Sequence, residues 1–280
     1  MEAVATLNGP MGPRGAQVYL ATARASFRQQ STYRAATVAG AFTNTVFGFV
    51  LAGVLQAAYN DRAASGSSTV GALDRTSAIT FTFVAQGLLA VMGAFGWREV
   101  AERVRTGDIA VDLYRPVSFS GWWASVWAGR AAFAFVARGL PPFLVGALVY
   151  HLRLPAQAST WPAFLVSVAI GTMVGSRLWL AVNLLAFWVV EIRGMVILTV
   201  NVLILAAGFA IPLQFVTGWP GALCRASPFA ALAQFPIEVF LELRPGWRAW
   251  LPQLAWLVAL EAGVRGLLAT AMRKVVIQGG

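Results

Sequence analysis

Six long runs of mostly apolar residues constrain this chain more than anything else in it: Ala35–Tyr59, Ser77–Gly96, Trp122–Tyr150, Trp161–Val190, Gly194–Thr217 and Ala249–Met272. An α-helix rises about 1.5 Å per residue, so roughly 20 such residues cover the ~30 Å hydrocarbon core of a bilayer. Inside lipid each backbone N–H and C=O must find its partner within the protein, and a single apolar run does so only as a helix. Charge is correspondingly scarce. Only 11% of the residues are charged against 58% hydrophobic, with a mean hydropathy of +0.68. A soluble domain carries about 25% charged residues, so a water-facing surface cannot be covered here. The expected fold is an all-α integral membrane protein with six transmembrane helices in one domain, residues 35–272.

Basic residues give the spans a direction. Of the 21 basic residues, Arg138, Arg177 and Arg265 lie within spans. Six more (Arg62, Arg75, Arg153, Arg225, Arg244 and Arg248) fall on one side, and the other twelve share the side of the N-terminus. That bias places both termini inside. The formal charge of +10 does not indicate nucleic acid, because the arginines are scattered between apolar runs and form no contiguous basic face. Lys274 is the sole lysine, and the single cysteine, Cys224, excludes an intrachain disulfide and a cysteine metal site. His151 has no second histidine, so no metal is expected. The N-terminal MEAVATLNGPMGPRGAQVYL lacks the basic start and apolar core of a cleaved signal, so the first span is expected to act as the insertion signal.

Three segments outside the spans have a character of their own. In residues 1–34, Tyr19, Ala23 and Phe27 recur at helical spacing while Arg24 and Arg28 sit elsewhere on the wheel. This reads as a tail and an elbow helix in the inner interface, its apolar stripe in lipid and its arginines at anionic headgroups. Residues 218–248 are too proline-broken to span and too apolar for a free loop. They are expected to form two short helices lying at the outer surface or dipping into it, the second starting near Ser227-Pro228 as N-cap and first helical position. Residues 273–280 form an inner tail.

The third segment is Trp97 to Pro116, WREVAERVRTGDIAVDLYRP. Trp97, Val100, Ala101 and Val104 make one helical stripe, and Arg98–Glu102 and Glu99–Arg103 are spaced as i,i+4 ion pairs. Gly107 supplies the left-handed stop, and Asp108 is placed to cap the next element of the chain. Two readings of the helix over residues 97–107 stay open at this point. Charge runs are usually solvated faces, which makes it a cytosolic connector. Alternatively its polar face meets a soluble partner and passes force to the spans.

The stretch RTGDIAVDLYRP resembles the inner loop of bacterial ABC-2 type exporter permeases, with Gly107, Ile109, Leu113, Arg115 and Pro116 in the family's G-x-I and Leu-x-Arg-Pro positions. STYRAATVAGAFTNTVFGFV is similar to that family's entry to the first span, and WPGAL, SPFAAL and FPIEVFLEL to its outer helices. The likeness runs over nearly the whole chain and is closest to the daunorubicin- and viologen-type branch. It implies the permease subunit of an ATP-driven exporter of hydrophobic or amphipathic compounds, drug-like or lipid-like, in the bacterial cytoplasmic membrane. It also implies two ATPase subunits carrying ATP and Mg, a second permease chain that is identical or paralogous, and ATPase coupling through Trp97, Arg98, Glu99, Glu102, Arg103, Gly107 and Asp108. A P-loop needs Gly-Lys-Ser/Thr, and Lys274 is followed by Val275, so this chain is expected to bind no cofactor and to hydrolyse no ATP itself.

Ionisable groups inside spans cost about 2.5–3.5 kcal/mol each on insertion scales, so they face protein or water and are paired. Arg138, Arg177 and Glu261 fall near the middle of spans three, four and six. Arg265 is one turn from Glu261, and Arg177 is an alternative partner across spans. Asn44, Asn183, Asn201 and Gln214 are candidates for interhelical hydrogen bonds or a polar path, and Pro141-Pro142 should bend span three. The competing function is a proton-coupled secondary transporter using Arg177 and Glu261. A membrane-embedded enzyme is a weaker third, since no nucleophile elbow or H-E-x-x-H motif is present.

Overall fold

The computed structural model describes residues 13–64, 69–70, 73–93, 96–189 and 191–278. The tail expected over residues 1–12 and residues 65–68 and 71–72 of the first outer loop lie outside the described residues. Four helical runs are long and apolar enough to cross a membrane: Arg34–Asp61, Phe119–Tyr150, Thr160–Phe187 and Gly246–Arg273. The other two expected spans are shorter, α3 (Arg75–Leu89, 15 residues) and α9 (Arg193–Ala206, 14 residues). Their truncation has a local cause. The chain turns at Gly93 (φ +71°) and Gly96 (φ +81°) after α3, and at Gly208 (φ +85°) after α9, backbone angles that glycine adopts without strain.

α3 is buried on every side from Ser77 to Leu88. A helix apolar all round has no solvent or lipid face to present, so it becomes the core around which others pack. Asp74 caps it, accepting from the Ser77 N–H at 3.3 Å. α2 (Arg34–Ala64) wraps it with Ala41, Asn44, Ala52, Leu55 and Tyr59 inward, and leaves Val38, Phe42, Phe47, Val50 and Val54 exposed. Asn44 Nδ2 donates to the Gln86 carbonyl at 3.1 Å, and Tyr59 Oη to the Leu73 carbonyl at 2.8 Å. Phe83 is lodged between Gly48 and Gly146, where a methyl group would stand 2.8 Å and 2.5 Å from its ring.

Span three is one run built of α6 (Phe119–Ala134), a π turn (Phe135–Gly139) and α7 (Leu140–Tyr150). Pro141 and Pro142 come directly after the π turn, and the Leu140 N–H reaches back to the Phe135 carbonyl. The widened turn thus absorbs the helix bonds that proline removes. There Gly139 meets Gly87 of α3, each glycine occupying a place where a Cβ would be 2.8–2.9 Å from the other's carbonyl oxygen.

α1 (Pro13–Ser31) lies along α6. A Cβ on Gly129 would fall 2.0 Å from the Ala23 carbonyl, one on Gly121 would meet the Tyr19 ring at 2.9 Å, and Tyr19 Oη accepts from the Ser118 N–H at 3.1 Å. Tyr19 and Ala23, expected in lipid, therefore face protein. Two glycines on α6 let the backbones touch, and close packing replaces lipid there.

α8 (Thr160–Leu184) and α12 (Gly246–Gln278) form the other half, joined by Gln253, whose Nε2 donates to the carbonyls of Ser167 (2.9 Å) and Ala231 (2.7 Å). α12 is helical beyond Met272 to Gln278, so much of the expected tail continues the span. Between α9 and α12 lie α10 (Gly218–Ala226) and α11 (Gln234–Phe240). α10 shows Trp219 and Leu223 outward, whereas residues Ala230 to Leu241 are buried throughout. The second short helix begins at Gln234, since Ser227 is extended (φ −79°, ψ 160°) and closes α10 as its C-cap.

Candidate functional site

The charged segment forms α4 (Glu99–Thr106) and α5 (Ile109–Leu113), separated by Gly107 at φ +84°. Val100, Ala101 and Ile109 point inward. Val100 and Ile109 join a core cluster with Phe119, Trp123, Leu180, Leu184, Val264 and Leu268, so the helix rests on α6, α8 and α12 together. Trp97 packs edge-on against Trp123 and Trp127, both at 5.4 Å between ring centres.

Polar bonds fasten the same underside. Arg98 holds the N-cap position with no side-chain cap, and the missing acceptor comes from another helix. Asn183 of α8, fully buried, accepts from the Ala101 N–H at 3.0 Å and donates to the carbonyls of Trp97 (2.7 Å) and Trp179 (2.8 Å). Glu99 pairs with Arg130 of α6 at 2.6 Å. Asp112, its side chain 1% exposed, is held by Arg103 Nε at 2.5 Å and Nη2 at 3.1 Å and by Arg115 at 3.0 Å. Arg115 also stacks over Trp122, 3.9 Å from the ring centre. Opposite charges so arranged repay part of the cost of burying a carboxylate.

The i,i+4 pairs expected from spacing give way to other partners. Glu99 and Arg103 turn inward to Arg130 and Asp112, and Glu102 pairs with Arg105 one turn on. That hydrogen bond holds Glu102 below the ordinary carboxylate value and Arg105 above its own. Asp108 accepts from the Thr106 hydroxyl at 2.8 Å and caps no helix with its side chain. On the outward side stand Arg98, Glu102, Arg105 and Asp108, with Val111 and Tyr114 beside them, 60% and 89% exposed.

A second polar cluster lies just beneath. Arg177 Nε stands 2.5 Å from Glu261 Oε2 without hydrogen-bond alignment, an ion pair rather than a directed bond. Arg265 Nε bonds Glu261 Oε1 at 2.8 Å, and Ser120 Oγ donates to Oε2 at 2.8 Å. Glu261 therefore has both arginines as partners. Ser120 is in the first turn of α6, and it is joined here to Arg177 of α8 and to Glu261 of α12. Arg138 stands apart from it and lies against Gly40 of α2, where an added Cβ would be 2.3 Å from its Nη2.

Sequence reasoning misses the contacts that Asp112, Ser120 and Arg130 make here. Only Asp112–Arg115, spaced i,i+3, carries a local signal; the rest are contacts between distant segments.

Several apolar helices, with a charged helix fastened to them, make this a multi-pass membrane protein. The family model described as ABC-2 family transporter protein matches residues 73–279, and the chain belongs to that family. The match begins after α1 and α2. No curated protein and no solved structure matches the chain.

Proposed function

We propose that the chain is the permease subunit of an ATP-driven exporter, in which two separate ATPase subunits, carrying ATP and Mg, dock on the outward face of α4–α5. The single observation behind this reading is the two-sidedness of α4. One side is tied to α6 and α8 through Glu99–Arg130 and Asn183, while the other leaves Arg98, Glu102, Arg105 and Tyr114 outward. A push on the outward face is carried directly into two membrane helices. The push shifts the inward–outward equilibrium only if the nucleotide-bound ATPase favours one state.

Six spans with both termini inside would be α2, α3, α6–α7, α8, α9 and α12, the shorter α3 and α9 crossing with their flanking turns. Cargo is a hydrophobic or amphipathic compound, and a second permease chain, identical or paralogous, completes the channel in the bacterial cytoplasmic membrane. The competing proton-coupled reading has less support, since the Glu261 carboxylate is already taken up by Arg177, Arg265 and Ser120.

Co-isolation with a P-loop ATPase tests the proposal. Replacing Arg98, Glu102, Arg105 and Tyr114 together by Ala should release the ATPase and stop ATP-dependent transport in vesicles while the chain stays folded. Transport that continues without any ATPase would sink it.

A further inference from the structure

The two sides of α9 meet different surroundings. Val196, Val200 and Leu203 face the chain's own bundle. A Cβ on Gly96 would lie 2.9 Å from Val196 Cγ1 and 3.5 Å from Val200 Cγ2, and Leu203 is fully buried. Gly194, Leu198, Asn201 and Leu205 repeat that spacing of four and three, offset by two residues. The offset turns them about 200° round the helix, and all four are exposed. Ile197 and Val202 flank them and are exposed too.

Asn201 stands out on this outward side. Of the four amides singled out in the spans, Asn44, Asn183 and Gln214 bond to other elements of the chain. Asn201 bonds only within its own helix, Nδ2 donating to the Ile197 carbonyl at 2.8 Å. Its Oδ1 and second N–H have no partner among the described residues. It lies roughly 12 Å along the helix from Arg193, well inside the hydrocarbon, where water does not supply the missing bonds. An amide left so is costly, and an acyl chain over this side would satisfy its leucines and none of its polar atoms.

We propose that this side of α9 pairs with the same side of α9 in a second copy of the chain, Asn201 bonding Asn201 across a two-fold axis. Two copies inserted alike are related by an axis along the membrane normal, which sets the helices parallel and brings each residue against itself at equal depth. Only a group that both donates and accepts suits such a place. A carboxamide does, each Oδ1 accepting from the other copy's Nδ2. The four-three spacing of Leu198, Asn201 and Leu205 is that of helices crossing at about +20°, and one amide in such a stripe fixes partner and register. The inference rests on Proposed function for the second permease chain, and makes that chain an identical copy joined through α9.

Cysteine cross-linking of the purified full chain, without ATPase, in vesicles of phosphatidylglycerol and phosphatidylcholine tests this. In a Cys224→Ala background, Leu198→Cys and Leu205→Cys should each oxidise to a covalent dimer. Val200→Cys, on the packed side of the same helix, should give little. Asn201→Leu, added to Leu198→Cys, should weaken association roughly tenfold when the chain is diluted with lipid, the scale of an interhelical hydrogen bond in a membrane. Asn201→Gln keeps the amide and should retain most of the association. Absence of the Leu198→Cys dimer, or a Val200→Cys dimer as abundant, would give the outward side to lipid or to another partner and overturn the proposal. So would an Asn201→Leu chain that associates as strongly as the unaltered one. A monomer in this test leaves the exporter reading standing with a paralogous second chain, and failure of ATPase co-isolation leaves the dimer standing.

Discussion

Two polar regions sit at opposite ends of the bundle, built from the same residue types and arranged in opposite ways. At the α11 end, Glu238 is surrounded by its own neighbours. It accepts from Gln234 Nε2 at 2.8 Å, from Gln214 Nε2 at 3.1 Å and from Arg244 Nε at 2.5 Å, and it is only 7% exposed. Gln234 Oε1 in turn accepts from the Leu213 N–H at 3.1 Å, tying the turn after α9 to α11. At the α4 end the inward half is satisfied in the same manner by Asp112 and Asn183, while on the outward half Glu102 pairs with Arg105 and Thr106 with Asp108 in the open. A network closed on itself fixes a fold. One with an exposed half leaves room for a partner.

The largest effect should come from opening the closed network. Glu238→Ala leaves Arg244 and two amides without their shared acceptor, at about 3 kcal/mol for a broken buried pair. It should lower the melting temperature and the yield of extracted chain, with or without ATPase present. Asn183→Ala comes next, at about 2 kcal/mol for the buried groups it strands. It should sharpen the contrast, because ATPase still co-isolates while transport per ATP hydrolysed falls, the outward face being intact and its fastening lost. Transport per ATP left unchanged would mean that α4 is steered by Glu99–Arg130 and Arg103–Asp112 alone.

The smallest effect is a pH dependence at the α11 end. Glu242 ties down the loop leading into α8, accepting from the Gln157 N–H and the Thr160 hydroxyl, each at 2.9 Å. The backbone hydrogen bond from Gln157 is the main reason its carboxyl titrates below the ordinary 4.5. A depressed folded value gives stability that is present above the unfolded value and lost as pH falls through the folded one. Thermal melting should therefore weaken slightly below about pH 4.5, and Glu242→Gln should flatten that part of the profile.

The contrast between the two ends also separates what a sequence discloses from what it hides. The stripe Val100, Ala101 and Val104, the stop at Gly107 and the Glu261–Arg265 pair are local patterns, legible within two helical turns. The family is legible too, from short elements in order. The hidden contacts join residues far apart in the chain: Asn183 on Ala101, Glu99 on Arg130, Ser120 on Glu261, and the burial of α11. Proximity of this kind arises when apolar helices pack, and spacing in one segment carries no record of it. Spacing also misleads where tertiary partners outcompete local ones, as when Arg103 leaves Glu99 for the buried Asp112. A hydrogen-bonded pair out of water is stronger than an exposed i,i+4 pair. Tyr19 and Ala23 mislead in the same way, as their stripe suits a helix neighbour as well as lipid.

The central claim is that the outward face of α4–α5 lies inside the cell and is covered by an ATPase. Tyr114→Cys in a Cys224→Ala background places a single thiol on that face, since Cys224 is the only native cysteine. A membrane-impermeant maleimide should label it in inside-out vesicles, leave it untouched in intact cells, and be blocked when the ATPase is bound. Labelling from outside intact cells, or undiminished labelling in the assembled complex, would contradict the account.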